Sequence, residues 1–98
     1  ILHCPNVTDE GLRHVERLAK LRRLDLRGSA VTYRGLARLS KLKALRELSI
    51  SRTTISDAGL SHLDDLSNLE WLSLSNTSVT SDAIKTLRAR LPNCEMGW

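Results

Sequence analysis

"LRELSISRTTISDAGLSHLDDLSN", Leu45 to Asn68, lies without a gap over "LRRLDLRGSAVTYRGLARLSKLKA", Leu21 to Ala44. It lies in the same register over "LEWLSLSNTSVTSDAIKTLRARLP", Leu69 to Pro92. Each stretch has 24 residues, and the apolar positions fall into columns. Leu24, Leu48 and Leu72 share one; Leu26, Ile50 and Leu74 share the next, two residues on. Val31, Ile55 and Val79 form a third, and Leu36, Leu60 and Ile84 a fourth. A fixed period of this length marks a solenoid, whose units hide their apolar faces only by stacking on neighbours. Working outward, Leu2, Val7, Leu12, Val15 and Leu18 fall into the same columns, and Met96 and Trp98 take the places of Leu72 and Leu74. The expectation is one domain over residues 1–98, about four repeats, with the first lacking its front half and the last strand entered at Glu95.

Within each unit the period changes, and local structure follows it. Leu24/Leu26, Leu48/Ile50 and Leu72/Leu74 alternate as a strand with one buried face does. Thr8, Thr32, Ser56 and Thr80 then stand where a helix N-cap is wanted, and Asp9, Asp57 and Asp82 fall in the first turn, where negative charge is favoured. Apolar residues spaced by three, as in Leu36, Leu39 and Leu42, predict short helices that tighten toward 3₁₀ or end early. Gly11, Gly35 and Gly59 recur at the same helix start and predict close backbone packing. Strand, cap, short helix, strand is a parallel crossover unit with its helix outside. The fold class is α/β.

These residues resemble a leucine-rich repeat protein. The "L-x-x-L-x-L" strand core and the "V/I-T/S-D-x-G-L" helix start are similar to those of many bacterial members, and the resemblance spans essentially the whole chain. "CPNVTDEGL", Cys4 to Leu12, also resembles the cysteine-containing repeats of F-box-type ubiquitin ligase subunits, although later units carry Ser or Thr there and the period is shorter. The resemblance implies a solenoid with a parallel sheet on the concave face and short helices on the convex face. The family's ladder asparagine is replaced by Ser29, Thr53 and Thr77, whose hydroxyls would satisfy loop amides less completely.

Composition narrows the function classes. Phe is absent, and Tyr33, Trp71 and Trp98 are the aromatic residues, so leucine fills the interior. The two cysteines, Cys4 and Cys94, lie near opposite ends of the array. Strand spacing separates their repeats by roughly 18 Å, beyond the reach of a disulfide. Unpaired thiols lean toward a reducing compartment such as the cytoplasm without fixing it. No stretch has the apolar length of a membrane span. Residues 11–46 carry eleven Lys/Arg against Glu16 and Asp25, whereas residues 47–98 carry four against seven acids. The basic half reads chiefly as solvated helix faces. An anionic partner held by residues 11–46 is the sharper alternative. Nucleic acid is disfavoured, because no aromatic residues interleave with the basic ones and no groove-reading motif is present.

Chemistry is not encoded in any recognisable constellation. His3, His14 and His62 have no partner at metal-ligand spacing. No nucleophile elbow or phosphate-cradling loop occurs. No cofactor is expected, and an enzyme is the least expected class. What remains is the strand face turned away from the core, where Arg23, Glu47 and Trp71 form one row, Asp25, Ser49 and Ser73 the next, and Arg27, Ser51 and Ser75 the third, with Arg52 at the edge. Trp71 sits where the alternation calls for a polar residue, and Trp is enriched at binding hot spots. Arg23, Asp25, Arg27, Glu47, Arg52 and Trp71 are therefore the candidate protein-binding residues. The expected function is a protein–protein interaction module. The alternatives are a structural or capping fragment of a larger array, and a polyanion-binding surface through residues 11–46. Uncapped ends would also allow self-association.

Overall fold

The computed structural model describes residues 2–3 and 6–98. Five strands form one parallel sheet in chain order: β1 (Leu2–His3), β2 (Arg23–Asp25), β3 (Glu47–Ser49), β4 (Trp71–Ser73) and β5 (Glu95–Gly97). Between them run α1 (Leu12–Val15), α2 (Tyr33–Leu39), α3 (Asp57–Leu60) with a 3₁₀ turn at Ser61–Leu63, and α4 (Ser81–Arg90). The register is the one the columns require: Leu2 pairs with Leu24, Leu24 with Leu48, Leu48 with Leu72 and Leu72 with Met96. Leu48, Leu72, Ile50, Leu36 and Leu63 are fully buried between sheet and helices. The solenoid class follows directly from these columns.

The helices are short for the reason their spacing suggested. Both α1 and α3 stop after four residues, and α3 passes into the 3₁₀ turn. Thr32 caps α2 by accepting from the Arg34 amide, and Thr80 caps α4 by accepting from the Ala83 amide. Ser56 precedes α3 without a side-chain cap. The first helix begins later than expected, with Gly11 at its N-cap; Thr8 Oγ accepts from the Gly11 amide at 3.4 Å. Gly35 shows why glycine recurs here. A Cβ at that position would lie 2.5 Å from Asp9 Oδ1 and 2.7 Å from a Leu12 methyl.

Several expectations are corrected. Asp9 and Asp57 do not serve mainly their own helices; each reaches the next repeat. Asp57 Oδ1 accepts from the Thr80 amide at 2.7 Å and Oδ2 from the Thr80 hydroxyl at 2.8 Å. Asp9 holds the Thr32 amide at 2.7 Å and the Thr32 hydroxyl in the same way. The hydroxyl ladder is uneven. Thr53 and Thr77 donate back to the carbonyls of Ile50 and Leu74, both at 2.7 Å, whereas the buried Ser29 hydroxyl has no partner among the described residues. Leu18 leaves its column and is 44% exposed. Trp98 does not take the buried place of Leu74 but is 57% exposed, with Arg88 over its ring at 4.6 Å. No further strand presses Trp98 inward among the described residues, so the ring turns to the cation on α4. Cys94 is buried and has no disulfide partner among the described residues. Cys4 lies outside the described residues, and so does the disulfide question.

Candidate functional site

Alternation along each strand sends Leu24, Leu48 and Leu72 into the core and their neighbours to the opposite face. That face is a trough of about 730 Å³, and all six sequence-selected residues line it: Arg23, Asp25, Arg27, Glu47, Arg52 and Trp71. Its floor is made of small hydroxyl side chains. Ser51, just beyond β3, and Ser73 of β4 share a hydrogen bond of 2.5 Å, and the buried Ser49 hydroxyl has no hydrogen-bond partner among the described residues.

The charged residues divide into engaged and unengaged groups. Arg23 pairs with Glu47 across the strands at 2.5 Å, both side chains being well exposed. Asp25 is not a surface contact: the residue is 9% exposed. It grips Arg27 through both oxygens, with Nε at 3.0 Å from Oδ1 and Nη2 at 2.9 Å from Oδ2, and accepts the Arg27 amide at 3.1 Å. This hydrogen bonding, then the carboxylate charge, raises the Arg27 pKa above its ordinary value. Asp25 therefore positions Arg27, and the side chain it positions is the one that meets solvent. Sequence alternation placed Asp25 on the correct face, but a neighbouring arginine two residues on and a floor of serines leave it sunken.

Arg52 stands apart. Its φ is 58°, in the left-handed region, where the equivalent positions of the flanking repeats hold Gly28 (72°) and Asn76 (57°). Gly and Asn tolerate that conformation readily, and a long side chain seldom occupies it. The Arg52 amide continues the sheet ladder to the Ser75 carbonyl at 2.9 Å, which holds the turn in place. Trp71 is 40% exposed and is the large apolar side chain of the trough. It stands over β5, where Gly97 leaves room: a Cβ there would lie 3.0 Å from the ring. Glu47 and Glu95 flank Trp71 in the same cross-strand row. Gly97 is the residue that sequence reasoning missed, because its contribution is the space it leaves.

On the convex side Arg38 and Lys41 converge on Glu16 at 3.0 and 3.4 Å, and Arg34 lies over Tyr33 at 5.8 Å. Hydrogen bonding to Tyr33 raises the Arg34 pKa. Among the described residues no cluster of His, Cys, Asp and Glu is placed to hold a metal ion, and no helix is long and apolar enough to cross a membrane.

Residues 17–40 and 42–63 each match the Leucine Rich repeat family. Those two stretches carry the repeat, and the fold is that of an α/β leucine-rich repeat solenoid. No curated protein matches it. Several solved structures share the architecture, three of them as follows. The Chaetomium Mex67:Mtr2 subunits superpose with a TM-score of 0.72 at 15% identity, over 91% of this chain and 68% of that one. A Leptospira interrogans leucine-rich repeat protein gives 0.59 at 21% identity, over 86% of this chain. An internalin of Listeria monocytogenes gives 0.53 at 22%, over 84%. This chain spans only 27% and 29% of the two bacterial proteins. At these identities the likeness is one of fold.

Proposed function

We propose that the chain is a protein-binding module that works through its concave sheet face. The observation that carries this reading is the position of Trp71, a half-exposed aromatic in a trough lined mainly by hydroxyls and charges. Leucine-rich repeat folds are commonly used for protein–protein interaction, and rigid strands hold a contact surface at little entropic cost on binding. Arg23, Arg27, Glu47, Arg52 and Trp71 are the proposed contacts, with Asp25 holding Arg27. Passive recognition requires no chemistry, and none of these groups forms a nucleophile–base pair. The basic segment 11–46 is a weaker second surface, because Glu16 already engages Arg38 and Lys41.

A photo-crosslinking residue at position 71, compared with one at the convex, exposed Lys85, tests the assignment. The reading expects one defined protein adduct from position 71 and none from position 85. The same adduct from both positions, or from position 85 alone, contradicts it.

A further inference from the structure

Two unengaged charges of opposite sign lie about the trough: Arg52 in its lining, and Glu95 next to Trp71 on β5. Arg23 and Arg27 are held by Glu47 and Asp25. Arg52 and Glu95, by contrast, have no ion-pair partner among the described residues, and both are exposed. Arg52 occupies a left-handed turn position that Gly28 and Asn76 fill in the adjacent repeats. Backbone strain of this kind, held in place by the surrounding ladder, is a reason to look for a role for the side chain. Glu95 sits in the row of Trp71, on the strand whose Gly97 supports the indole ring. An exposed indole between two carboxylates is a favourable environment for a cationic side chain, which gains both ring attraction and charge pairing.

We infer that the trough takes a protein segment of defined polarity, with a basic side chain stacked on Trp71 beside Glu95 and an acidic side chain paired with Arg52. The inference rests on the protein-binding reading above and adds the chemistry of the partner. Arg52 lies five residues beyond Glu47, the neighbour of Trp71 in the cross-strand row, so the two anchor points are about 15 Å apart, or four to five extended residues. Between them the partner crosses the serine floor, which offers hydroxyl groups to its backbone. A guanidinium forks onto a carboxylate with two parallel hydrogen bonds, which makes Arg52 selective for Asp or Glu at its end. Like charges placed at either end would be repelled, so the charge pattern excludes uniformly acidic and uniformly basic segments alike.

The test is selection of a random octapeptide display library on the 98-residue chain, on Arg52→Glu, on Glu95→Lys and on Trp71→Ala. The wild type is expected to enrich peptides with a Lys or Arg and an Asp or Glu separated by three to five residues. Arg52→Glu should change the acidic position to basic and leave the other intact; Glu95→Lys should change only the basic position. Enrichment of peptides without this pattern, or no enrichment by the wild type, overturns the inference. Peptides that depend on Trp71 but are unchanged by both charge reversals overturn the charge assignment and leave the concave-face reading standing. Identical peptides on wild type and Trp71→Ala overturn both.

Discussion

Asp57 of one repeat holds Thr80 of the next through both carboxylate oxygens, one on the amide at 2.7 Å and one on the hydroxyl at 2.8 Å. Asp9 holds Thr32 in the same way, again 23 residues on. Between these two seams the equivalent positions are Tyr33 and Ser56, and Ser56 has no side-chain cap bond. The clamp thus joins the first repeat to the second and the third to the fourth, and is missing in the middle.

Installing it is the first prediction. Tyr33→Asp together with Ser56→Thr should stabilise the chain by about 1 kcal/mol, the usual worth of a hydrogen bond and a cap at a partly exposed site. Asp57→Ala should cost a similar amount and speed hydrogen exchange at the Thr80 amide. Thermal melts and exchange rates check both. No gain from the double substitution would mean that the seam is already satisfied by packing.

Core and floor positions should respond in opposite ways although they adjoin. Leu48 is fully buried, so Leu48→Ala should cost roughly 2–5 kcal/mol. Ser49 places a buried hydroxyl without a partner, so Ser49→Ala should be neutral or slightly stabilising. Denaturant melts that showed equal losses for the two would contradict the strand register.

The two arginine–carboxylate pairs of the trough should differ as well. Arg27→Ala removes the side-chain hydrogen bonds that the sunken Asp25 accepts from it and should lower the melting temperature. Arg23→Ala breaks a pair exposed on both sides and should cost well under about 1 kcal/mol. Only the second loss should vanish in high salt. Melts at low and high ionic strength separate them.

The repeat register, the concave row of Arg23, Glu47 and Trp71, and the shortness of the helices were all legible in the sequence, because each depends on local periodicity. What escaped depends on neighbours. A first-turn aspartate serves its own helix dipole as readily as an amide in the next repeat, so nothing local distinguishes Asp57 from Asp82. Trp98 follows the apolar column of Leu74 but has no outer strand to cover it among the described residues, and its ring lies under Arg88 instead. Leu18 fits its column too, yet stays 44% exposed at the first turn of the stack. The depth of Asp25 follows from a serine floor that periodicity does not measure.

Burial, and then the charge of Glu95, pushes the Cys94 thiol up to about 11 from its ordinary value near 9. A raised thiol pKa favours folding while the unfolded chain keeps its proton, and that favour is lost as pH rises. Stability should therefore be flat with respect to this group below pH 9 and decline between pH 9 and 11. Cys94→Ala should decline less over the same interval. Parallel alkaline curves for the two proteins would contradict the shift.

Trp71 offers the most direct measurement. Its side chain points away from the core, while Leu72, the next residue, is fully buried. The quantities to compare are the melting temperature of Trp71→Ala and its affinity for the protein crosslinked at position 71, both against wild type. The concave-face reading predicts an almost unchanged melt with binding weakened by about 2 kcal/mol, or roughly 30-fold, as for other truncated hot-spot aromatics. Full affinity in a well-folded Trp71→Ala protein would contradict it and place the binding surface elsewhere on the solenoid.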